Sequence, residues 1–343
     1  MAGVDTRYQY CGVMRLGIKM AADHRPSIAR SRPRSAVGVL LSLGAVLALL
    51  AVACAPSTSG TTTRVPVVVT TAILADLVKN VGGDWVDIRV IVPPGADVHT
   101  FQSKPEDSVA INRARVIVSN GRGLDAFLDP VLQGAKDPDA IHVVASAGLQ
   151  GAPVEEMDFP GEPEAKAQRE PDHPQGDPHY WQDPLQTIHY VEQIRDGLAQ
   201  ADPANASIYQ ANATAYSQQL RNLDQEIARV LRDVPPQRRH LVTFHDAFGY
   251  FGRRYGWRVS AFVAHDASDV TPGKVVQVME LIRKEGIPAL FVEPQFRPNV
   301  MQQAARDTGI AVGTIYSDTL DSKVPTYIDM MRFNARSLAE QLR

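Results

Sequence analysis

The sequence predicts an α/β protein of two (β/α) domains, each with a parallel-type sheet, joined by one long backbone helix and enclosing a cleft between them. Three observations carry this expectation. Short β-branched runs alternate with amphipathic stretches on both sides of residues 202–234, the order that yields parallel sheets covered by helices. Between the two sets, 204–233 holds neither Gly nor Pro and keeps a helical apolar period. The chain has 343 residues, 44% of them hydrophobic and 21% charged, which is enough material for two cores.

Residues 1–53 read as an address rather than as fold. Arg25, Arg30, Arg32 and Arg34 precede an uncharged apolar run over 36–53 that ends Leu50-Ala51-Val52-Ala53-Cys54, the order of a signal peptide closed by a lipobox. Cys54 stands where a bacterial lipoprotein carries its lipid, so 54–64 is read as a lipidated Cys and flexible tether. The competing reading is a single transmembrane anchor, since the run is just long enough to span a bilayer if Cys54 is not processed. Both readings put the rest of the chain outside the cytoplasm, in the periplasm or on the outer face of the cytoplasmic membrane, and both tie it to that membrane. Removing 1–53 takes away seven Lys or Arg and two Asp or Glu, leaving 28 basic and 36 acidic side chains and a formal net charge of −8. That balance disfavours nucleic acid as a partner and suits a cationic ligand.

The N-terminal α/β domain is expected over 65–201, with strands at 65–70, 87–92, 116–119 and 141–145. Ser103-Lys104-Pro105-Glu106 has the form of a capping box with Pro inside the first turn, so a helix opens there and leaves His99 on a strand-to-helix loop. Residues 153–178 carry six prolines and eight acidic side chains around a single His173. Such a segment cannot bury a core and is expected to be a mobile acidic loop. Asp177-Pro178-His179-Tyr180-Trp181 then leads into helix-like sequence. The linking helix, 202–234, has Tyr216, Leu220, Leu223, Ile227 and Val230 at alternating spacings of four and three, and would run roughly 45 Å before Pro235-Pro236 ends it. The C-terminal α/β domain, 235–343, has strands expected at 240–244, 289–293 and 311–315, with helices opening near Ala247, at Thr271-Pro272, near Pro298 and at Thr326.

Only two cysteines occur, Cys11 and Cys54, so the folded part can build neither a disulfide framework nor a thiolate site. Any metal must be held by His and carboxylates. In open α/β sheets ligands bind beyond the carboxyl ends of the strands. Four polar residues occupy such places: His99 and His179 in the first half, His245 and Asp318 in the second. A single loop His is more often a surface residue, but four potential ligands in equivalent topological places, two from each half, suit a site in the cleft. His142, His189 and His240, which lie in predicted strands and a helix, are given ordinary roles, and His265-Asp266 is read as a surface pair.

The chain resembles the zinc/manganese family of ABC-transporter solute-binding lipoproteins, cluster A-I, from about Val65 to its C-terminus. The resemblance rests on Pro94-Gly95-Ala96-Asp97-Val98-His99-Thr100-Phe101, Asp177-Pro178-His179-Tyr180-Trp181-Gln182-Asp183-Pro184, Phe244-His245-Asp246-Ala247-Phe248-Gly249-Tyr250-Phe251, Val292-Glu293-Pro294 and Tyr316-Ser317-Asp318-Thr319-Leu320. It implies metal ligands at His99, His179, His245 and Asp318, a site in the interdomain cleft, and delivery of the ion to an ABC transporter's permease and ATPase. A metallochaperone is a further candidate partner. Three imidazoles and one carboxylate suit Zn2+, whereas Mn2+ would favour a second carboxylate in place of His245. Glu293 is expected to orient a ligand imidazole as its acceptor, and Trp181 to pack at the site and exclude water. Zinc-specific relatives often carry a long His-rich loop before the second ligand, whereas the loop before His179 is short and mainly acidic. The rival functions are a secreted zinc-dependent hydrolase and a metal-binding surface adhesin. Four protein ligands and the lack of an HExxH helix disfavour the hydrolase, for which Glu293 is the one base to nominate. No enzymatic activity is expected.

Overall fold

A computed structural model describes residues 64–150, 176–263, 272–296 and 299–343. The leader, Cys54 and its tether up to residue 63, most of the acidic loop and the His265-Asp266 pair lie outside the described residues. No described helix is long and apolar enough to cross a membrane.

The first half is a four-stranded parallel sheet in the order β2-β1-β3-β4, from β1 Val65–Val69, β2 Val86–Val90, β3 Val116–Ser119 and β4 Ile141–Val144. β3 is buried along its whole length, which is why it reads as a continuous apolar run rather than an alternating one. The helices between these strands are α1 Ala72–Gly82, α2 Pro105–Arg113 and α3 Asp129–Ala135. Thr71 caps α1 by accepting from the Leu74 amide at 3.3 Å. The cap of α2 differs from the expected one by a residue. Lys104, not Ser103, precedes the helix, and its amide donates to Asp107 at 2.8 Å, so the reciprocal half of the box is made by Asp107 rather than Glu106. The backbone pairing beyond β2 continues through Ile91 and Val92, which donate to Val69 and Thr70.

Helix α4, Pro184–Ala201, is capped by Asp183, whose carboxylate accepts from the Leu185 amide at 2.8 Å. It lies directly on β4: a Cβ on Gly197 would fall 2.2 Å from a Val143 methyl, so only Gly permits this approach. The long helix α5 spans Ala206–Leu231, about 39 Å rather than the 45 Å expected, because Pro203–Asn205 form a separate 3-10 turn. Its buried face, Tyr209, Ala213, Tyr216, Leu220, Leu223, Ile227 and Leu231, packs against α1 and α4 of the first half and against the C-terminal helix α9, Tyr327–Leu342. Asp76 ties these helices together, accepting from the Tyr327 amide at 3.0 Å and the Tyr216 hydroxyl at 3.3 Å.

The second half contains two parallel pairs, β5 His240–His245 with β6 Arg258–Val263, and β7 Ala289–Val292 with β8 Ala311–Thr314; β5 also neighbours β7. Strand β6 is an addition to the expected set. Its Ser260 and Ala261 dilute the β-branched signal, and its pairing with β5 is what makes it a strand. Helices α6 Gly249–Tyr255, α7 Pro272–Glu285 and α8 Asn299–Thr308 complete this half. Thr326 opens α9, accepting from the Asp329 amide at 3.1 Å while its hydroxyl donates to the Asp329 carboxylate at 2.6 Å. Arg254 forks onto Asp224 of α5 at 2.7 and 2.6 Å, and the Tyr255 hydroxyl joins it at 3.1 Å, so α6 is also clamped to the long helix.

Candidate metal centre

The four candidate ligands come from four separate segments. His99 lies on the loop between β2 and α2, His179 on the loop before α4, His245 at the last position of β5, and Asp318 between β8 and α9. Each segment is held by its own set of hydrogen bonds. Asp97 accepts from the His99 amide at 2.9 Å and from the Thr100 hydroxyl at 3.0 Å, an Asx turn that fixes the loop. Gly95, at φ +81°, takes the backbone round the bend before it, and its amide donates to Thr319 of the other half at 2.7 Å. Asp177 accepts from both the amide and Nδ1 of His179 at 2.9 Å. Asn120 donates to the Pro178 carbonyl at 3.1 Å, and Tyr190 in turn donates to Asn120 at 2.6 Å.

His245 is held by Glu293, at the carboxyl end of β7. The Glu293 carboxylate accepts from the Phe244 amide at 3.2 Å and the His245 amide at 3.4 Å, and lies 3.0 Å from His245 Nδ1. A carboxylate at Nδ1 fixes the tautomer that presents Nε2 as a donor atom to the site, and this applies to His179 as well as His245. The segment bearing Asp318 is bolted to the first half: Trp181 Nε1 and Gln182 Nε2 both donate to the Ser317 carbonyl, at 2.7 and 3.0 Å. The Trp181 ring also stands edge-on to His179, with centroids 5.2 Å apart.

These supports bring the four side chains together. Their ligand atoms all lie within 4.8 Å of one another, the one such group of three or more His, Cys, Asp or Glu among the described residues. Asp318 Oδ2 is 3.1 Å from His245 Nε2 and 3.7 Å from His99 Nε2, and Oδ1 is 3.7 Å from His179 Nε2. The edge of a tetrahedron of zinc-length bonds is about 3.3 Å, so the separations suit a small divalent cation. His179, His245 and Asp318 are buried, and His99 nearly so. His142, His189 and His240 stand elsewhere, on Ser119, on the Ala147 carbonyl, and between Ser260 and Glu285.

Burial works against charge on His245, yet the Asp318 and Glu293 carboxylates outweigh it and hold the imidazole well above its usual value. Burial alone would raise Asp318, but His245 first, with His99 and His179, keeps its carboxyl well below the ordinary range. Burial raises Glu293, and it raises Asp177 to about 7 despite the hydrogen bond from the His179 amide. Asp318 and His245 therefore hold each other in their charged forms.

Composition places Asp177 and Pro178 in a mobile acidic loop, whereas both are buried at the site. Asp177 escapes that reading because its neighbours set the local average. The signal that finds it is the repeated Asp-x-His spacing, Asp97-Val98-His99 and Asp177-Pro178-His179. Gln182, Asn120 and Gln295 carry no comparable signal.

The chain matches, over residues 67–341, the family described as zinc-uptake complex component A, periplasmic (ZnuA). It is 32% identical over 305 residues to the manganese-binding lipoprotein MntA of Halalkalibacterium halodurans, covering 87% of this chain and 96% of the relative. The iron-binding protein YfeA of Yersinia pestis is 31% identical over 288 residues, covering 82% of this chain and 88% of the relative. Among solved structures, the periplasmic zinc-binding protein TroA of Treponema pallidum superposes with a TM-score of 0.70 at 27% identity, covering 81% of this chain and 99% of that one.

Proposed function

The chain belongs to the ZnuA family of periplasmic metal-binding proteins, and from that premise we propose that it captures a zinc ion from outside the cytoplasm and passes it to an ABC importer. At the coarser level it is the metal-binding, substrate-binding component of such an importer rather than an enzyme. Its partners are the permease and the ATPase that drives it. The observation that carries the reading is the convergence of His99, His179, His245 and Asp318 within 4.8 Å in a buried position supported from both halves.

The choice of zinc rests on donor chemistry, since relatives of similar identity are named for manganese and for iron. Three neutral imidazoles and one carboxylate satisfy zinc's four-coordinate preference, whereas manganese prefers more oxygen donors. The same geometry speaks against a hydrolase. A catalytic zinc needs an open position and a free base, and Glu293 is committed to His245 and to two backbone amides. Cys54 is proposed to carry the lipid that holds the protein at the membrane, with a metallochaperone as a candidate donor of the ion.

Metal analysis of untagged protein, followed by competition titration with a chelator of known affinity, tests this. One zinc per chain is expected, with binding weakened by well over tenfold in His179→Ala and Asp318→Ala, since each removes one of four ligands. Unaltered affinity in both variants would sink the assignment.

A further inference from the structure

Gln295 lies in the turn that follows Glu293 at the end of β7, and its side chain reaches the Asp318 segment. Its Nε2 donates to the Ser317 hydroxyl at 2.6 Å and to Asp318 Oδ2 at 3.3 Å. The amide orientation is settled by this pairing, because a flipped side chain would set Oε1 against the carboxylate. Oδ2 is also the oxygen nearest His245 and His99, while Oδ1 faces His179. Gln295 thus acts on the one anionic ligand candidate through the same oxygen that faces His245 and His99. It holds a single oxygen, and through it the rotation of the whole carboxyl plane.

We propose that Gln295 is a positioning residue that fixes how Asp318 presents its carboxylate, and that it thereby favours zinc over manganese. This rests on the reading of His99, His179, His245 and Asp318 as the ligands of the transported ion. Zinc is satisfied by four donors, so a carboxylate offering one oxygen completes its shell. Manganese prefers six-coordinate, oxygen-rich surroundings and gains when a carboxylate turns to bind through both atoms. With Gln295 in place, Asp318 can turn only by giving up a hydrogen bond to its charged oxygen, a penalty that falls on manganese alone. The Ser317 hydroxyl, bonded to the same Nε2, keeps the amide from following the carboxylate as it turns.

Gln295→Met keeps the length and volume of the side chain and removes the donor; Gln295→Ala is a second variant should Met pack poorly, with circular dichroism reporting the fold of each. Zinc and manganese affinities are measured by competition titration on wild type and variants, and the visible d–d spectrum is recorded on cobalt-loaded protein, since tetrahedral cobalt absorbs far more strongly than six-coordinate cobalt. Zinc affinity is expected to fall roughly tenfold, at the low end for residues that support a metal ligand, with manganese falling less, so that the zinc-to-manganese ratio drops about threefold or more. The cobalt absorption should weaken as coordination rises. An unchanged ratio and spectrum in both folded variants overturns the proposal. Equal losses for both metals with an unchanged cobalt spectrum overturn it too, leaving Gln295 a purely structural residue. If wild-type protein binds neither metal, the four-ligand reading itself has failed and takes this proposal with it, a result visible without any variant.

Discussion

The two carboxylates that flank His245 favour a proton on its ring that an incoming cation must displace, and from this a specific pH dependence of capture is expected. His245 is fully buried with Asp318 Oδ2 3.1 Å from its Nε2 and Glu293 Oε1 3.0 Å from its Nδ1. At an effective dielectric of about 20, each contact favours the charged imidazole by on the order of 5 kcal/mol. Lost hydration opposes this by several kcal/mol, and the balance leaves the group well above 6.5. A raised imidazole value stabilises the metal-free fold fully below 6.5, and the contribution is lost as pH climbs through the raised value. Metal binding runs the other way, because the cation needs the neutral ring. From about pH 6.5 up to the raised value, zinc affinity should therefore fall about tenfold for each unit of pH lowered, where an ordinary imidazole would give almost no dependence. Calorimetry at pH 7 in two buffers of unlike ionisation enthalpy measures the protons released. About one per zinc is expected, and fewer in Glu293→Gln, which removes one of the two charges. A buffer-independent enthalpy at pH 7 would refute the reasoning, since it would mean that His245 is neutral before the metal binds.

Three other perturbations separate the remaining parts of the argument. His245→Glu trades a nitrogen donor for an oxygen donor that can bind through two atoms, so competition titrations should show the zinc-to-manganese ratio falling while zinc still binds the more tightly; an unchanged ratio would remove His245 from the ligand set. Cys54→Ala should abolish lipid labelling and release the protein from the membrane fraction, whereas retention there would identify the apolar run as a transmembrane anchor. Asp76→Ala strips the Tyr327 amide and the Tyr216 hydroxyl of their shared acceptor, which should cost roughly 1–3 kcal/mol in urea unfolding. Zinc stoichiometry should stay the same, and an unchanged unfolding midpoint would show that Asp76 does not fasten the helices.

What the sequence makes legible follows from how local each feature is. Strands β1, β3, β5 and β7 are visible because they are buried largely on both faces and therefore rich in apolar and β-branched residues, and α5 is visible because its core-facing residues repeat over many turns. Strand β6 is hidden because its identity depends on lying beside β5, and the shift of the α2 cap from Ser103 to Lys104 is the kind of end effect that one competing carboxylate, Asp107, decides. The ligand candidates His99, His179, His245 and Asp318 are legible because each sits in a local motif. Of the residues that support them, Trp181 and Glu293 are read from the motifs in which they stand, whereas Gln182 and Gln295 are not: Gln182 meets the Ser317 carbonyl only when the two halves come together, and Gln295 meets Ser317 and Asp318 only when two loops of the second half do. Asp177 marks the boundary between the two cases. A window average calls its surroundings solvated, yet a buried carboxylate survives only if donors compensate its lost hydration. Those donors, the amide and ring of His179, lie two residues away in the same chain. An acidic residue next to a candidate ligand is therefore better judged by the donors within its reach than by the composition around it.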